Sequence, residues 1–237
     1  MSHHYIQFSD VKYRYPGNKE EALKGVSFRI NHGERVALLG RNGAGKSTII
    51  LLTNGLLLAS SGEVNIGDVP VVKKTLKIVR QSVGMVFQNP DDQLFMPTVE
   101  EDVAFGPMNM ELPEKEIERR VASALEMTGI SDLRKRPSAR LSGGQKRRVA
   151  IATVLSMEPS ILVLDEPTAN LDFAARRDLL NILKGFAHTQ LIATHDLEMV
   201  RELCPRCIVI DSGKVVADGK TSDILENPEI REILGMD

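Results

Sequence analysis

The run "RVALLGRNGAGKSTII", starting at Arg35, constrains the fold more than any other stretch. "RVALLG" reads as a strand that runs straight into a glycine loop, and "KSTIILLTNGLLL" then has helix-like apolar spacing. Gly40, Gly43, Gly45, Lys46 and Ser47 satisfy G-x-x-x-x-G-K-S in that strand–loop–helix context. The glycines let the backbone curl, so that N–H groups along Gly40, Arg41, Asn42, Gly43, Ala44, Gly45, Lys46, Ser47 and Thr48 converge on phosphate oxygens. Lys46 adds a point charge at the β- and γ-phosphates, and Ser47 is placed to ligate Mg²⁺. An ordinary glycine turn capping a helix needs neither the lysine nor the serine.

Composition narrows the surroundings of this loop. A chain of 237 residues is long enough for one large domain with a subdomain. Its 30 basic and 32 acidic side chains nearly cancel, which argues against a nucleic-acid partner held by phosphate contacts. Tryptophan is absent and aromatics are few, so a stacking platform for single strands is not expected either. No apolar stretch approaches the roughly 18 residues of a spanning helix, and "MSHHYIQFSD" lacks a secretory apolar region. A soluble, cytoplasmic protein that still binds a membrane partner is the expectation. Cys204 and Cys207 follow a helical segment rather than opening one, and two ligands do not build a zinc site. Reduced thiols without chemistry are expected there, and His3 and His4 read as a disordered terminus or tag remnant.

Strand candidates are "VSFRI", "EVNIG", "VGMVFQ", "ILVLD", "QLIATH", "CIVID" and "KVVADG", the last two joined by a Ser-Gly turn. Helix candidates "FAARRDLLNILKGF" and "DLEMVREL" alternate with them, which implies a mostly parallel α/β sheet. An antiparallel β layer is expected near the N-terminus. The middle third differs. Thr98 and Glu101 have capping-box spacing, and "PEKEIERRVASALEMTG" predicts a helix from about Pro113 that stops at Gly129. Ile117, Val121, Ala124, Leu125 and Thr128 mark its one face. The organisation expected is a single domain, with a core from residues 1–96 and 141–237 and a helical subdomain at 97–140.

Asp165 and Glu166 end the strand "ILVL" at the edge where open parallel sheets bind ligands. A division of labour follows: Asp165 for the metal, and Glu166 to orient and polarise an attacking water. His195 ends "QLIAT" in the same way and suits contact with a transferring phosphoryl group. Gln88, ending "VGMVF", becomes a candidate for Mg²⁺ or water contact. A second glycine turn, "RLSGGQKRRVA" from Arg140, offers another anion-seeking helix start, formed by Ser142 and the N–H groups of Gly143 and Gly144. Lys146, Arg147 and Arg148 follow it, either adding positive charge to that site or simply facing solvent. The two anion sites are expected to face one anion from opposite sides, without having to belong to the same copy of the chain.

"GRNGAGKST", "LSGGQ" (Leu141, Ser142, Gly143, Gly144, Gln145), "ILVLDEP" and the terminal "TH", in this order, resemble the nucleotide-binding subunit of an ATP-binding cassette (ABC) transporter. The resemblance covers nearly the whole chain. It implies a P-loop NTPase fold, ATP and Mg²⁺ as ligands, and two cassettes paired head to tail, with the signature of one closing on the γ-phosphate held by the other. Tyr15 resembles the aromatic that stacks on adenine, ahead of Tyr13. "TANLD" resembles the loop whose aspartate, here Asp172, helps join the paired cassettes. The family more often has glycine at Asn170, proline at Phe173 and glutamine at Arg147.

"FQNPDDQLFMPTVEEDVAFGPMNM" resembles, more narrowly, the ATPase subunit of energy-coupling-factor importers of cobalt or nickel ions and vitamins. Physically, Leu94, Phe95 and Met96 beside Asp91 and Asp92 are either a buried loop anchor or an apolar patch with an acidic rim. The second suits a partner's basic helix. The implied partners are a second ATPase subunit, identical or paralogous, and transmembrane transporter subunits, with this chain peripheral at the cytoplasmic face of the membrane. Rival expectations are the ATPase of another ABC importer or exporter, or a soluble cassette acting on DNA or ribosomes. The latter usually carries a long coiled coil or two cassettes per chain, and neither is visible.

Overall fold

The computed structural model of the protein describes residues 5–236, so His3 and His4 lie outside the described residues. The chain opens with β1 (Ile6–Tyr13), β2 (Leu23–Ile30), β3 (Arg35–Leu39), α1 (Lys46–Thr53), β4 (Ser61–Ile66), β5 (Val69–Pro70), α2 (Leu76–Ser82) and β6 (Val83–Val86). A helical stretch follows, with α3 (Val99–Asn109), α4 (Glu114–Met127) and α5 (Gly143–Leu155). Next come β7 (Ile161–Asp165), α6 (Phe173–Gly185), β8 (Thr189–Ala193) and α7 (Leu197–Leu203). The chain closes with β9 (Arg206–Asp211), β10 (Lys214–Lys220), α8 (Thr221–Glu226) and α9 (Pro228–Leu234). These elements form two compact units, one of residues up to 83 with 160–166 and 187–237, the other of residues 84–159 and 167–186.

The first unit is mixed α/β. One sheet, in the order β2-β1-β4-β5, is antiparallel, and Phe8 stacks on Phe28 across it at 4.6 Å. The other runs β10-β9-β3-β8-β7, with β9, β3, β8 and β7 parallel and only β10 antiparallel. β3, β7 and β8 are buried almost throughout, which is why they read as continuous apolar runs rather than alternating ones. Leu38 pairs with Ala193, and Ala193 with Asp165. Three strands therefore end together at one edge, and the loops carrying Gly40, Glu166 and His195 leave from it.

The second unit is mainly helical and contains the whole segment 97–140. Thr98 caps α3 by accepting the Glu101 N–H, and α4 begins immediately after Pro113, where the missing N–H costs nothing. Gly129, at φ 63°, ends the α4 region in the left-handed conformation that a helix stop favours. Val121, Ala124 and Leu125 are the buried face of α4, and both α3 and α4 pack against α5.

Cys204 and Cys207 are both buried and neither forms a disulfide. Burial pushes the Cys204 thiol up to about 12 and the Cys207 thiol up to about 11, from an ordinary value of 9.0. In the unfolded chain these thiols ionise near pH 9, while the folded chain keeps them protonated. Their contribution to stability is whole below pH 9 and lost as pH rises towards 11. Denaturant midpoints should fall over that interval, and less steeply in a Cys204→Ala/Cys207→Ala chain. An identical pH slope in the two chains would contradict the assignment.

Candidate nucleotide site

In the first unit the phosphate loop is shaped by close backbone approaches. Gly40 has φ 153°, and a Cβ there would lie 2.3 Å from the Ile210 carbonyl oxygen. Gly45, at φ 115°, caps α1, and its Cβ would meet Leu23 Cδ2 at 2.8 Å. Only glycine fits either position without moving neighbouring backbone or core. Lys46 is buried, and its Nζ donates to the carbonyls of Gly40 at 2.7 Å and Arg41 at 3.3 Å. The ammonium thereby spans the loop it is expected to serve. Tyr15 is half-buried, its hydroxyl 3.0 Å from Thr48 Oγ1 and its ring edge-on to Tyr13 at 4.9 Å. Tyr13 is buried in the core, which leaves Tyr15 as the aromatic with an accessible face.

Asp165 and Glu166 are adjacent in sequence and differ in surroundings. Burial pushes the Asp165 carboxyl above the usual carboxylate range, and the Glu166 charge adds to this. A hydrogen bond from Ser47 and the charge of Lys46 oppose it. The Ser47 hydroxyl thus lies near enough to the Asp165 carboxylate to favour its charged form. Two oxygen donors suit a hard cation such as Mg²⁺, which keeps waters and takes few protein ligands.

Glu166 is 7 % exposed and adopts φ 44°, a left-handed conformation that costs energy for any residue with a side chain. Its N–H donates to the Ala193 carbonyl at 2.8 Å, anchoring the strained residue to the end of β8. Its Oε2 accepts three bonds: from the Thr194 hydroxyl at 3.1 Å, the His195 N–H at 3.3 Å and, when protonated, His195 Nδ1 at 2.9 Å. Thr194 in turn accepts the Asp196 N–H at 3.0 Å. The His195 ring itself is 75 % exposed. Thr194 had no sequence signal of its own, because a buried threonine before a histidine looks like the last residue of a strand.

The remaining candidates lie on the second unit. Ser142 Oγ accepts the Gln145 N–H at 3.3 Å, while Gln145 Oε1 accepts the Ser142 N–H at 3.0 Å. This capping box starts α5 and leaves the Ser142 hydroxyl proton for an acceptor outside. Ser142 and Gly143 are exposed. The three basic residues after them do not simply face solvent. Lys146 pairs with Asp91 at 2.6 Å, and Arg147 is buried on the carbonyls of Phe87 and Gln88. Asp172 caps α6 by accepting the Ala175 N–H at 2.8 Å, a structural duty besides the contact expected of it. Asn170 has φ 60°, which explains why glycine is common there and why asparagine is tolerated.

The segment 89–96 is pinned by polar side chains. Asn89 caps the Pro90–Asp92 turn, and Gln93 Nε2 donates to the Ala150 carbonyl and Thr153 Oγ1, both at 2.7 Å. Buried Asp102 accepts the N–H groups of Phe95 at 3.0 Å and Met96 at 2.9 Å, and the Ser138 hydroxyl at 2.5 Å. Held from behind, Phe95 is 64 % exposed and rests edge-on against Phe105 at 4.8 Å. It is no buried loop anchor. Asp91, expected on an acidic rim, is already paired with Lys146. Gln93 and Asp102 were missed in the sequence because a polar residue that ties down a loop has no fixed spacing.

A glycine-rich phosphate loop and an Asp-Glu pair on one edge of a parallel sheet define a P-loop nucleoside triphosphatase. The ABC transporter family matches residues 23–169, and this chain belongs to that family. A protein of Geobacter sulfurreducens, named provisionally as an ABC transporter ATP-binding protein, is 60% identical over 97% of this chain and 92% of its own length. The energy-coupling factor transporter ATP-binding protein EcfA1 of Methanospirillum hungatei is 44% identical over 99% of this chain and 86% of its own. Among solved structures, cbiO1 of Clostridium perfringens, part of the ABC transporter complex cbiONQ, has TM-score 0.86 and 40% identity, covering 99% of this chain and 96% of its own. A dimeric cassette in a post-hydrolysis state with ADP and Pi has TM-score 0.82 and 28% identity, covering 91% of this chain and 98% of its own. The chain is an ATP-binding and ATP-hydrolysing cassette.

Thr194→Val keeps the shape of the β8 terminus and removes one donor from Glu166 Oε2. ATP affinity should be unchanged and kcat should fall about tenfold, as expected for loss of a group that orients a reacting residue. Wild-type kcat in a folded Thr194→Val chain would show that the hydroxyl serves only the strand end.

Proposed function

We propose that this cassette dimerises head to tail on ATP and powers a membrane importer of the energy-coupling-factor type, for a cobalt or nickel ion or a vitamin. The observation that carries the dimer is the exposed, capped start of α5, where Ser142 and the following glycine N–H groups present an anion cradle to solvent. Support comes from the dimeric cassette among the structural neighbours, and for the importer from the EcfA and cbiO relatives. Asp172, with Asn170 in its left-handed turn, is placed in the joining loop of this reading. Among the described residues no helix is long and apolar enough to cross a membrane. Transmembrane subunits and a second cassette, either identical or paralogous, complete the assembly, with this chain peripheral at the cytoplasmic face of the membrane.

In this reading Lys46 and the loop N–H groups from Arg41 to Thr48 hold the phosphates, and Tyr15 stacks on the base. Ser47 and Asp165 would hold Mg²⁺, which would supply neutralising charge to the phosphates, and Gln88 is the further candidate for metal or water contact. Glu166 orients and polarises the attacking water through its carboxylate, whose Oε2 is steadied by Thr194 and His195. His195, with its exposed ring, contacts the transferring phosphoryl group. Closure and reopening of the pair supply the stroke. Glu166→Gln preserves shape and removes the group that polarises water. It should accumulate an ATP-dependent dimer on size exclusion while hydrolysis falls at least a hundredfold, roughly the loss of a general base. Near-normal turnover would remove Glu166 from this role.

Docking of the membrane partner is assigned to Phe95 and Leu94, with Phe105 and Met108 exposed alongside and Asp92 at the rim. Burying such an aromatic is worth about 2–3 kcal/mol, whereas an exposed ion pair rarely exceeds about 1 kcal/mol. Phe95→Ala should therefore weaken copurification with transmembrane subunits more than Asp92→Asn, with ATP binding by the free subunit intact. Undiminished assembly in a folded Phe95→Ala chain would take this face out of coupling.

A further inference from the structure

Arg147 stands out among the buried charges of the second unit. It is 3 % exposed, no carboxylate pairs with it among the described residues, and its Nε has no hydrogen-bond acceptor. Nη1 donates to the Phe87 carbonyl at 2.7 Å and Nη2 to the Gln88 carbonyl at 2.5 Å. Burying a guanidinium without an opposite charge is costly, and a well-packed apolar side chain is the cheaper way to fill such a place. The two acceptors explain what the charge does there. Successive carbonyls along a strand point to opposite sides, so one planar fork meets both only where the chain has left β geometry. That point is the end of β6 at Val86. Gln93 Oε1 accepts the Phe87 N–H at 3.2 Å, so the preceding peptide, 86–87, is held as well, through its donor.

Gln88 borders a cavity of about 350 Å³ lined also by Asp91, Gly143, Lys146, Arg147 and Asn170. Gln88 is exposed with open space beside it, so its backbone alone fixes the direction in which the side chain leaves the turn. We propose that Arg147 is a positioning residue for Gln88. Its fork fixes the peptide planes at 87–88, and it ties the exit direction of the glutamine to α5, the helix that begins with the signature turn. The inference rests on the reading of Gln88 as a metal or water contact.

The test uses the full chain, with Mn²⁺ standing in for Mg²⁺ and followed by paramagnetic resonance, beside metal-free ATP binding and steady-state hydrolysis. Arg147→Lys retains the charge and loses the two-pronged geometry. Metal-free ATP affinity and KM should stay within about twofold of wild type, while Mn²⁺ half-saturation rises about fivefold and kcat falls about tenfold. Gln88→Ala should give the same pattern, and the double variant should be no worse than either single one, as for residues acting as a unit. Additive losses, or wild-type Mn²⁺ binding in Arg147→Lys while Gln88→Ala shifts it, would overturn the positioning role. Wild-type Mn²⁺ binding in Gln88→Ala would instead overturn the reading of Gln88 itself, and the role of Arg147 with it. If Arg147→Lys does not fold, Arg147→Gln, which reaches one carbonyl through a neutral amide, replaces it. Failure of both to fold would assign Arg147 to core stability alone.

Discussion

The parallel register of β3, β8 and β7 is the constraint from which the arrangement of the candidate site follows. Leu38, Ala193 and Asp165 lie side by side, so the phosphate loop, the Thr194–His195 turn and the Asp165–Glu166 pair leave the sheet from one edge. A slip of one residue in any of the three strands would turn its buried side chains to the opposite face. Because these strands are buried almost throughout, packing opposes such a slip along their whole length. Glu166 then takes up a strained φ of 44°, held by the Ala193 carbonyl, by two hydrogen bonds to its Oε2 and by His195 Nδ1 when that nitrogen is protonated. The order of the strand ends is what sustains the strain.

A different principle governs the second unit. The segment 87–96 makes a turn whose apolar side chains are at most half-buried, and its backbone groups are satisfied by side chains from elsewhere. Arg147 accepts no bond and gives two, Gln93 gives two to α5 and takes one back from Phe87, and Asp102 takes two N–H groups. Each of these groups is costly when unpaired, which makes the loop conformation sharply defined. The consequence is exposure. With its backbone held from behind, the segment can present Phe95 outward instead of burying it.

Charge was the least dependable guide to exposure in this chain. Lys146 and Arg147 follow a glycine turn and read as a solvated basic stretch, yet one pairs with Asp91 and the other is buried on two carbonyls. Asp102, in the acidic run after Thr98, is another buried charge. A charged side chain is legible as exposed only when nothing nearby in space needs its hydrogen bonds, and sequence spacing does not report that.

The sequence by itself determined the phosphate loop, the helix starts at Thr98, Pro113 and Ser142, the alternation of strands and helices, and the family. Each of these is written in short-range terms: glycines where a backbone must approach closely, caps beside orphan N–H groups, apolar runs where both faces are buried. Asn170 belongs here too, since a departure from glycine to asparagine keeps access to φ 60°. Only the tertiary structure decided that Thr194 supports Glu166, that Asp102 and Gln93 hold the 89–96 segment, and that Arg147 grips the end of β6. Those bonds join residues between 6 and 60 positions apart. Their partners are chosen by which buried polar groups folding leaves unsatisfied, a quantity that exists only once the chain is packed.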